Sequence, residues 1–183
     1  DEKRNMEEPC RSTRRKGPKP HQARMSEKDT TDPAGIYTDF FVEIFAGTAG
    51  LSTHVKALGK IIYTFDTNTG RDGDILNKDT YKLIRDLIGS KHCIGVWFGM
   101  PCGTLSRARR NDGGPGPLRD PEHVMKPNAA CTPNERTRVL MANRILERMI
   151  AIIDHCIQQK KPWYIENHRD RRLWDTSMIR SIE

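Results

Sequence analysis

Four short apolar runs, each followed by a stretch of helical periodicity, limit what this chain can fold into. Residues 40–45 (FFVEIF), 61–65 (IIYTF), 93–98 (CIGVWF) and 163–166 (WYIE) are rich in aromatic and β-branched residues, the signature of buried strands. Between the first two, Leu51, Val55 and Leu58 recur at helical spacing and stop at Gly59. Between the second and third, Asp79 reads as an N-cap, Tyr81, Ile84 and Ile88 form a stripe, and Gly89 ends it. The strongest helix opens at Thr132-Pro133-Asn134-Glu135, a capping box with proline at the first helical position. Its apolar stripe runs through Val139, Ala142, Leu146, Met149, Ile153 and Cys156. A short helix is expected after the last strand. Strand–helix alternation of this kind predicts an α/β fold, a mostly parallel sheet flanked by helices, because parallel neighbours need crossover connections. Ligands in such sheets bind beyond the carboxyl ends of the strands, so the residues that end each strand are the candidates for chemistry.

The first 35 residues differ from the rest. They hold almost no large apolar side chain and cannot bury enough surface to offset the entropy of ordering, so a disordered basic arm is expected over 1–35 and a folded domain over 36–183. Residues 11–24 (RSTRRKGPKPHQAR) carry six Lys and Arg and no acid, which suits an arm along phosphates and suits a solvated linker equally well. With 31 Lys and Arg against 24 Asp and Glu the chain has a formal charge of +7, favouring a polyanionic partner. No run of about 18 apolar residues is present to span a membrane, and no apolar stretch near the start reads as a secretory signal. The five cysteines include no Cys-x-x-Cys pair, so neither a disulfide framework nor a cysteine zinc site is expected, and a reducing, intracellular setting is. Cys93 and Cys156 sit in apolar patterns and read as core residues.

The strand ends are distinctive. The first is Phe45-Ala46-Gly47-Thr48-Ala49-Gly50-Leu51-Ser52, whose small residues allow a tight turn and close approach of a ligand to the free N–H groups of the next helix. The second is Asp66, 16 residues past Gly50, where a carboxylate can accept from ribose hydroxyls. Ser52 stands where the pyrophosphate fingerprint needs its third glycine, which weakens a nicotinamide-dependent oxidoreductase. Asp72-Gly73-Asp74-Ile75 offers a carboxylate to an exocyclic amine and is also a common turn sequence. The third strand leads into Met100-Pro101-Cys102-Gly103, where Cys102 opens a loop carrying Arg107, Arg109 and Arg110. Nearby cations favour a nucleophilic thiolate, although a structural cysteine beside a basic loop would look the same. The fourth ends in Glu166-Asn167-His168. Glu166 is a candidate acid facing the same cleft, or a surface partner of Arg169, Arg171 or Arg172.

Taken in order, these strand ends resemble the S-adenosylmethionine-dependent DNA cytosine carbon-5 methyltransferases. Glu43, Phe45, Gly47 and Gly50 match the family's acid-x-Phe-x-Gly-x-Gly-Gly opening, with Ala49 in place of one glycine. Gly73-Asp74-Ile75, Pro101-Cys102 and Glu166-Asn167 match its later motifs. The sequences Ser106-Arg107-Ala108-Arg109, Pro117-Leu118-Arg119 and Leu173-Trp174 are similar to a compact branch found in phages and in mobile elements such as retrotransposons.

The resemblance implies a Rossmann-like methyltransferase domain with S-adenosylmethionine as cofactor. It places Phe45, Ala46, Gly47, Thr48, Gly50, Leu51, Asp66, Asp74, Ile75 and Pro101 against that cofactor. Cys102 would be the nucleophile and Glu166 the residue that stabilises charge on a flipped-out cytosine. Ser106, Arg107, Arg109, Arg110 and Arg119 would contact DNA, on a loop over 103–131 that closes over the base. It implies a DNA partner, neither metal nor membrane, a nuclear location if the source is eukaryotic and a cytoplasmic one otherwise, and further mobile-element domains in a longer reading frame.

The chain also departs from the pattern. His168 replaces the usual Val or Pro, no Gln-x-Arg-x-Arg follows Glu166, and four strands are legible where the family has seven. A fragment truncated after the fourth or fifth strand is therefore expected. The alternative is a catalytically degenerate nucleic-acid-binding domain of a mobile element. A methyltransferase acting on an exocyclic amine would carry Asn/Asp-Pro-Pro-aromatic where this chain has Gly-Met-Pro-Cys.

Overall fold

The computed structural model describes residues 38–105, 116–167 and 171–182; the basic arm lies outside them. Strands β1 (Phe40–Ile44), β2 (Ile61–Phe65), β3 (Cys93–Gly99) and β4 (Trp163–Glu166) form one sheet in the order β2-β1-β3-β4. Every pairing is parallel. Helices α1 (Gly50–Ala57), α2 (Lys78–Gly89) and α3 (Pro133–Gln158) make the three crossovers, and the short α4 (Arg171–Trp174) and α5 (Ser177–Arg180) follow β4. The chain is an α/β domain with an all-parallel sheet flanked by helices, as the alternation predicts.

Crossover handedness distributes the helices. The chain steps from β1 to β2 in one direction and from β2 to β3, then β3 to β4, in the other. Right-handed connections therefore put α1 on one face and α2 and α3 on the opposite one. Side-chain alternation agrees. Val42, Ile44, Val96 and Phe98 point to the α2–α3 side and are almost fully buried with Ile84, Ile88, Leu146, Met149 and Ile153. Glu43 points the other way, toward Ser52 of α1. Over β3 and β4 that second face carries Trp97 and Tyr164, whose rings meet at 6.0 Å with Tyr164 half exposed.

Local signals explain most of the boundaries. The capping box is present: Thr132 Oγ1 accepts from the Glu135 N–H, and Glu135 accepts from the Thr132 N–H. At α2 the N-cap is Asn77, whose side chain accepts from the Asp79 N–H, so the expected cap falls two residues later than the true one. Asn77 and Asp79 are equally good caps, and the start of the helix depends on Thr80 reaching back to the carbonyls of Arg71 and Asp72. On α3 the stripe shifts slightly: Ala142 is half-buried while the polar Asn143 is buried.

Gly73 joins the ends of two segments. A Cβ there would overlap the Asp66 carbonyl oxygen and the Thr69 hydroxyl. Gly73→Ala is therefore expected to destabilise the domain by about 2 kcal/mol, because the obstruction includes rigid backbone. A thermal melt would check this, and an unchanged midpoint would refute the close approach.

Candidate functional site

The winding reverses between β1 and β3, and in open parallel sheets that reversal opens a crevice at the carboxyl edge. One wall is the turn after β1. Phe45, Gly47 and Ala49 all adopt left-handed backbone there, with φ of 63°, 53° and 60°. Only glycine does so freely; for Phe45 and Ala49 it costs about 1–2 kcal/mol each, strain of the kind stored at functional turns. Ala49 holds the position where the resembled family has glycine. No side chain caps α1, and its first turn contains no acid.

Two carboxylates border this turn. Asp66 bridges it to β2: Oδ2 accepts from the Gly47 N–H and Oδ1 from the Asn68 N–H, both at 2.8 Å. Glu43 lies beneath the start of α1, only 4% exposed, and its Oε2 has no hydrogen-bond partner among the described residues. Burial pushes the Glu43 carboxyl above the ordinary glutamate range; Ser52 and Lys56 oppose the rise, and Asp66 adds to it. A raised native value means that the folded chain holds this proton more tightly than the unfolded chain. The stabilisation is complete below the ordinary glutamate pKa and is lost as pH rises through the native value. Glu43→Gln cannot titrate and should gain in melting temperature over the parent as pH increases from 4 to 8. A gap that stays constant across that range would disprove the burial of an ionisable group here.

A third carboxylate, half-buried Asp74, accepts from the Leu76 N–H at 2.9 Å through Oδ1. Its neighbour Ile75 is 2% exposed and belongs to the core cluster, so it supports Asp74 rather than presenting a surface to a ligand. Within the turn, Gly47, Thr48 and Gly50 are exposed, and Phe45, Ala46 and Leu51 are half-buried.

The opposite wall is built by β3 and β4. Cys102 is exposed, and its carbonyl accepts from the Leu105 N–H at 2.9 Å, closing a tight turn. Pro101 is exposed beside it. Glu166, exposed at the end of β4, is paired in register with Gly99. Asn167 Nδ2 donates to the Met100 carbonyl at 3.0 Å and ties the two strand ends together. Gly99 in turn lies close to Phe45, since a Cβ there would come within 2.9 Å of the Phe45 carbonyl oxygen. The sheet therefore gathers the turn after β1, the Cys102 turn and Glu166 along one edge.

Arg119 does not belong with the proposed DNA contacts. It is 0% exposed. Its Nε donates to the Thr104 carbonyl and Nη2 to the Thr104 hydroxyl, while Nη1 donates to the Val124 carbonyl and to Asn143 Oδ1, at 2.7–3.1 Å. Burial, with Arg172 nearby, lowers its pKa to about 10. The guanidinium is spent inside the protein, where it fastens the Cys102 turn to α3. Arginine in a Pro- and Gly-rich loop looks like a surface residue in sequence; the buried Asn143, polar within an apolar stripe, was the available signal. Ser106, Arg107, Arg109, Arg110 and His168 lie outside the described residues. Cys93 and Cys156 are buried as expected, and burial raises both thiols, Cys156 to about 12.

Among the described residues no group of three His, Cys, Asp or Glu side chains is placed to hold a metal ion. No helix among them is long and apolar enough to cross a membrane. No family model, curated protein or solved structure matches the chain.

Proposed function

We propose that this domain binds S-adenosylmethionine and methylates carbon 5 of cytosine in DNA through Cys102. The observation that carries this reading is the strand-end arrangement, with a glycine-rich turn bordered by carboxylates on one side of the switch point and an exposed cysteine on the other. Asp66 and Asp74 make the cofactor wall negative. Such a wall repels a pyrophosphate and suits a ligand with a cationic sulfonium and ammonium and with ribose hydroxyls.

S-adenosylmethionine, when bound, supplies an electrophilic methyl group. The chain supplies the rest. A cytosine reaches Cys102 only when flipped from the duplex. The Cys102 sulfur bonds to ring carbon 6 and pushes electron density onto carbon 5, which becomes the methyl acceptor. Glu166 hydrogen-bonds ring nitrogen 3 and stabilises that charge. Loss of the carbon-5 proton to solvent then expels the sulfur and restores both ring and thiolate.

The rival reading is a nucleic-acid-binding domain that keeps the scaffold without the activity. The strained Ala49 favours it, since the turn is costlier here than with glycine. Isothermal titration with S-adenosylmethionine separates the two, because only the first reading requires binding. Asp74→Ala should weaken that binding about tenfold, as expected for one lost hydrogen bond to a ligand; equal affinity would remove Asp74 from the site. Incubation with a 5-fluorocytosine duplex and cofactor should leave a denaturation-resistant adduct, because fluorine cannot depart as the proton does. Absence of both heat of binding and adduct would refute the methyltransferase reading.

A further inference from the structure

The α2–α3 face of the domain carries an arginine cluster that the proposed reaction does not use. The Arg148 guanidinium carbon lies 4.1 Å from the centre of the Tyr81 ring, and that of Arg85 lies 5.8 Å from the same centre. Two shallow grooves carry these arginines. One, of about 500 Å³ between α2 and α3, is lined by Tyr81, Arg85 and His155. The other is lined by Leu76, Arg144, Glu147, Arg148 and Ala151.

The grooves hold two carboxylates, Asp86 and Glu147, against four cations, Lys82, Arg85, Arg144 and Arg148. Asp86 pairs with Lys82 at 3.0 Å, and no ion pair among the described residues joins Arg85, Arg144 or Arg148 to an acid. Stacking on an aromatic ring uses the face of a guanidinium and leaves its N–H edge free. It also removes part of the side-chain entropy that a flexible arginine would lose on binding an anion. Arg148 close over the ring and Arg85 farther out, with Arg144 one helical turn from Arg148, present several N–H groups to one extended ligand. The geometry points to a phosphodiester backbone: a repeating anion met by fork-shaped donors, on a chain with a formal charge of +7.

We therefore infer that Arg85 and Arg148, set around Tyr81, and Arg144, one helical turn along α3, form a second nucleic-acid contact surface that binds phosphates without reading bases. The inference stands apart from methyl transfer, and its test uses no cofactor. Binding of the full chain to a fluorescein-labelled 20-base-pair duplex is measured by anisotropy across a salt series. The Arg85→Gln/Arg148→Gln double variant should bind about tenfold or more weakly at low salt, and the slope of log affinity against log salt should fall by about 1.8, since each lost phosphate contact removes about 0.9. Its far-ultraviolet circular dichroism and melting temperature should match the parent. Lys56→Gln/Lys60→Gln, an equal loss of charge beside α1, should change the slope much less. An equal loss from both double variants would show a net-charge effect and overturn the proposal. So would unchanged duplex binding, or binding of phosphatidylserine vesicles in preference to the duplex.

Discussion

Cys102→Ser is expected to abolish methyl transfer, by about a thousandfold or more, while leaving the affinity for S-adenosylmethionine unchanged. A thiolate is strongly nucleophilic, whereas a serine hydroxyl is a weak nucleophile unless a dedicated base takes its proton. The substitution is nearly isosteric at an exposed position, so the fold should not report it. Transfer of tritiated methyl from the cofactor to a cytosine-containing duplex, together with titration calorimetry, separates the two effects. Full activity in the serine variant would remove Cys102 from the chemistry. Equal loss of activity and cofactor affinity would instead make it part of the binding wall.

Arg119→Met is expected to lower stability by about 3–5 kcal/mol, the range seen when one member of a buried charged network is removed, and the melting temperature by about 10 °C. Burying a guanidinium with no carboxylate among its hydrogen-bond partners in the described residues is costly, and methionine relieves that cost. The loss dominates because the carbonyls of Thr104 and Val124 and the Asn143 side-chain oxygen are left without this donor. Asn143→Leu removes one of the four bonds made by Arg119, together with the Nδ2 bond to the Met125 carbonyl, and should cost less. Arg119→Lys keeps the charge but not the fork, and should fall between. Hydrogen exchange adds a readout specific to the site: the Leu105 amide, which closes the Cys102 turn, should lose protection in Arg119→Met before the core of the sheet does. A melt like that of the parent would mean that the four hydrogen bonds do not fasten the loop.

Legibility in the sequence followed the range of the interactions. The four strands and the capped start of α3 rest on local periodicity and on side chains that bond within three residues. They were readable to within a residue or two. The cap of α2 was misplaced because two good capping residues stand close together and a contact nine residues back along the chain, from Thr80 to Arg71, helps choose between them. Arg119 was misread for a stronger version of the same reason. Its partners at 104 and 143 lie 15 and 24 residues away, on opposite sides of it in sequence. The Tyr81 cluster was invisible because α2 and α3 meet only across the folded domain, and residues 81 and 148 follow no common pattern.

Sequence alone determined the parallel α/β plan and the residues that close each strand, because apolar periodicity and turn chemistry act over a few residues. Tertiary structure decided which of those residues face a common edge, that Glu43 is buried without a full set of partners, and that Arg119 is an internal clamp. Those outcomes depend on strand order and on competition between burial and hydrogen bonding, and both exist only once distant segments are packed together.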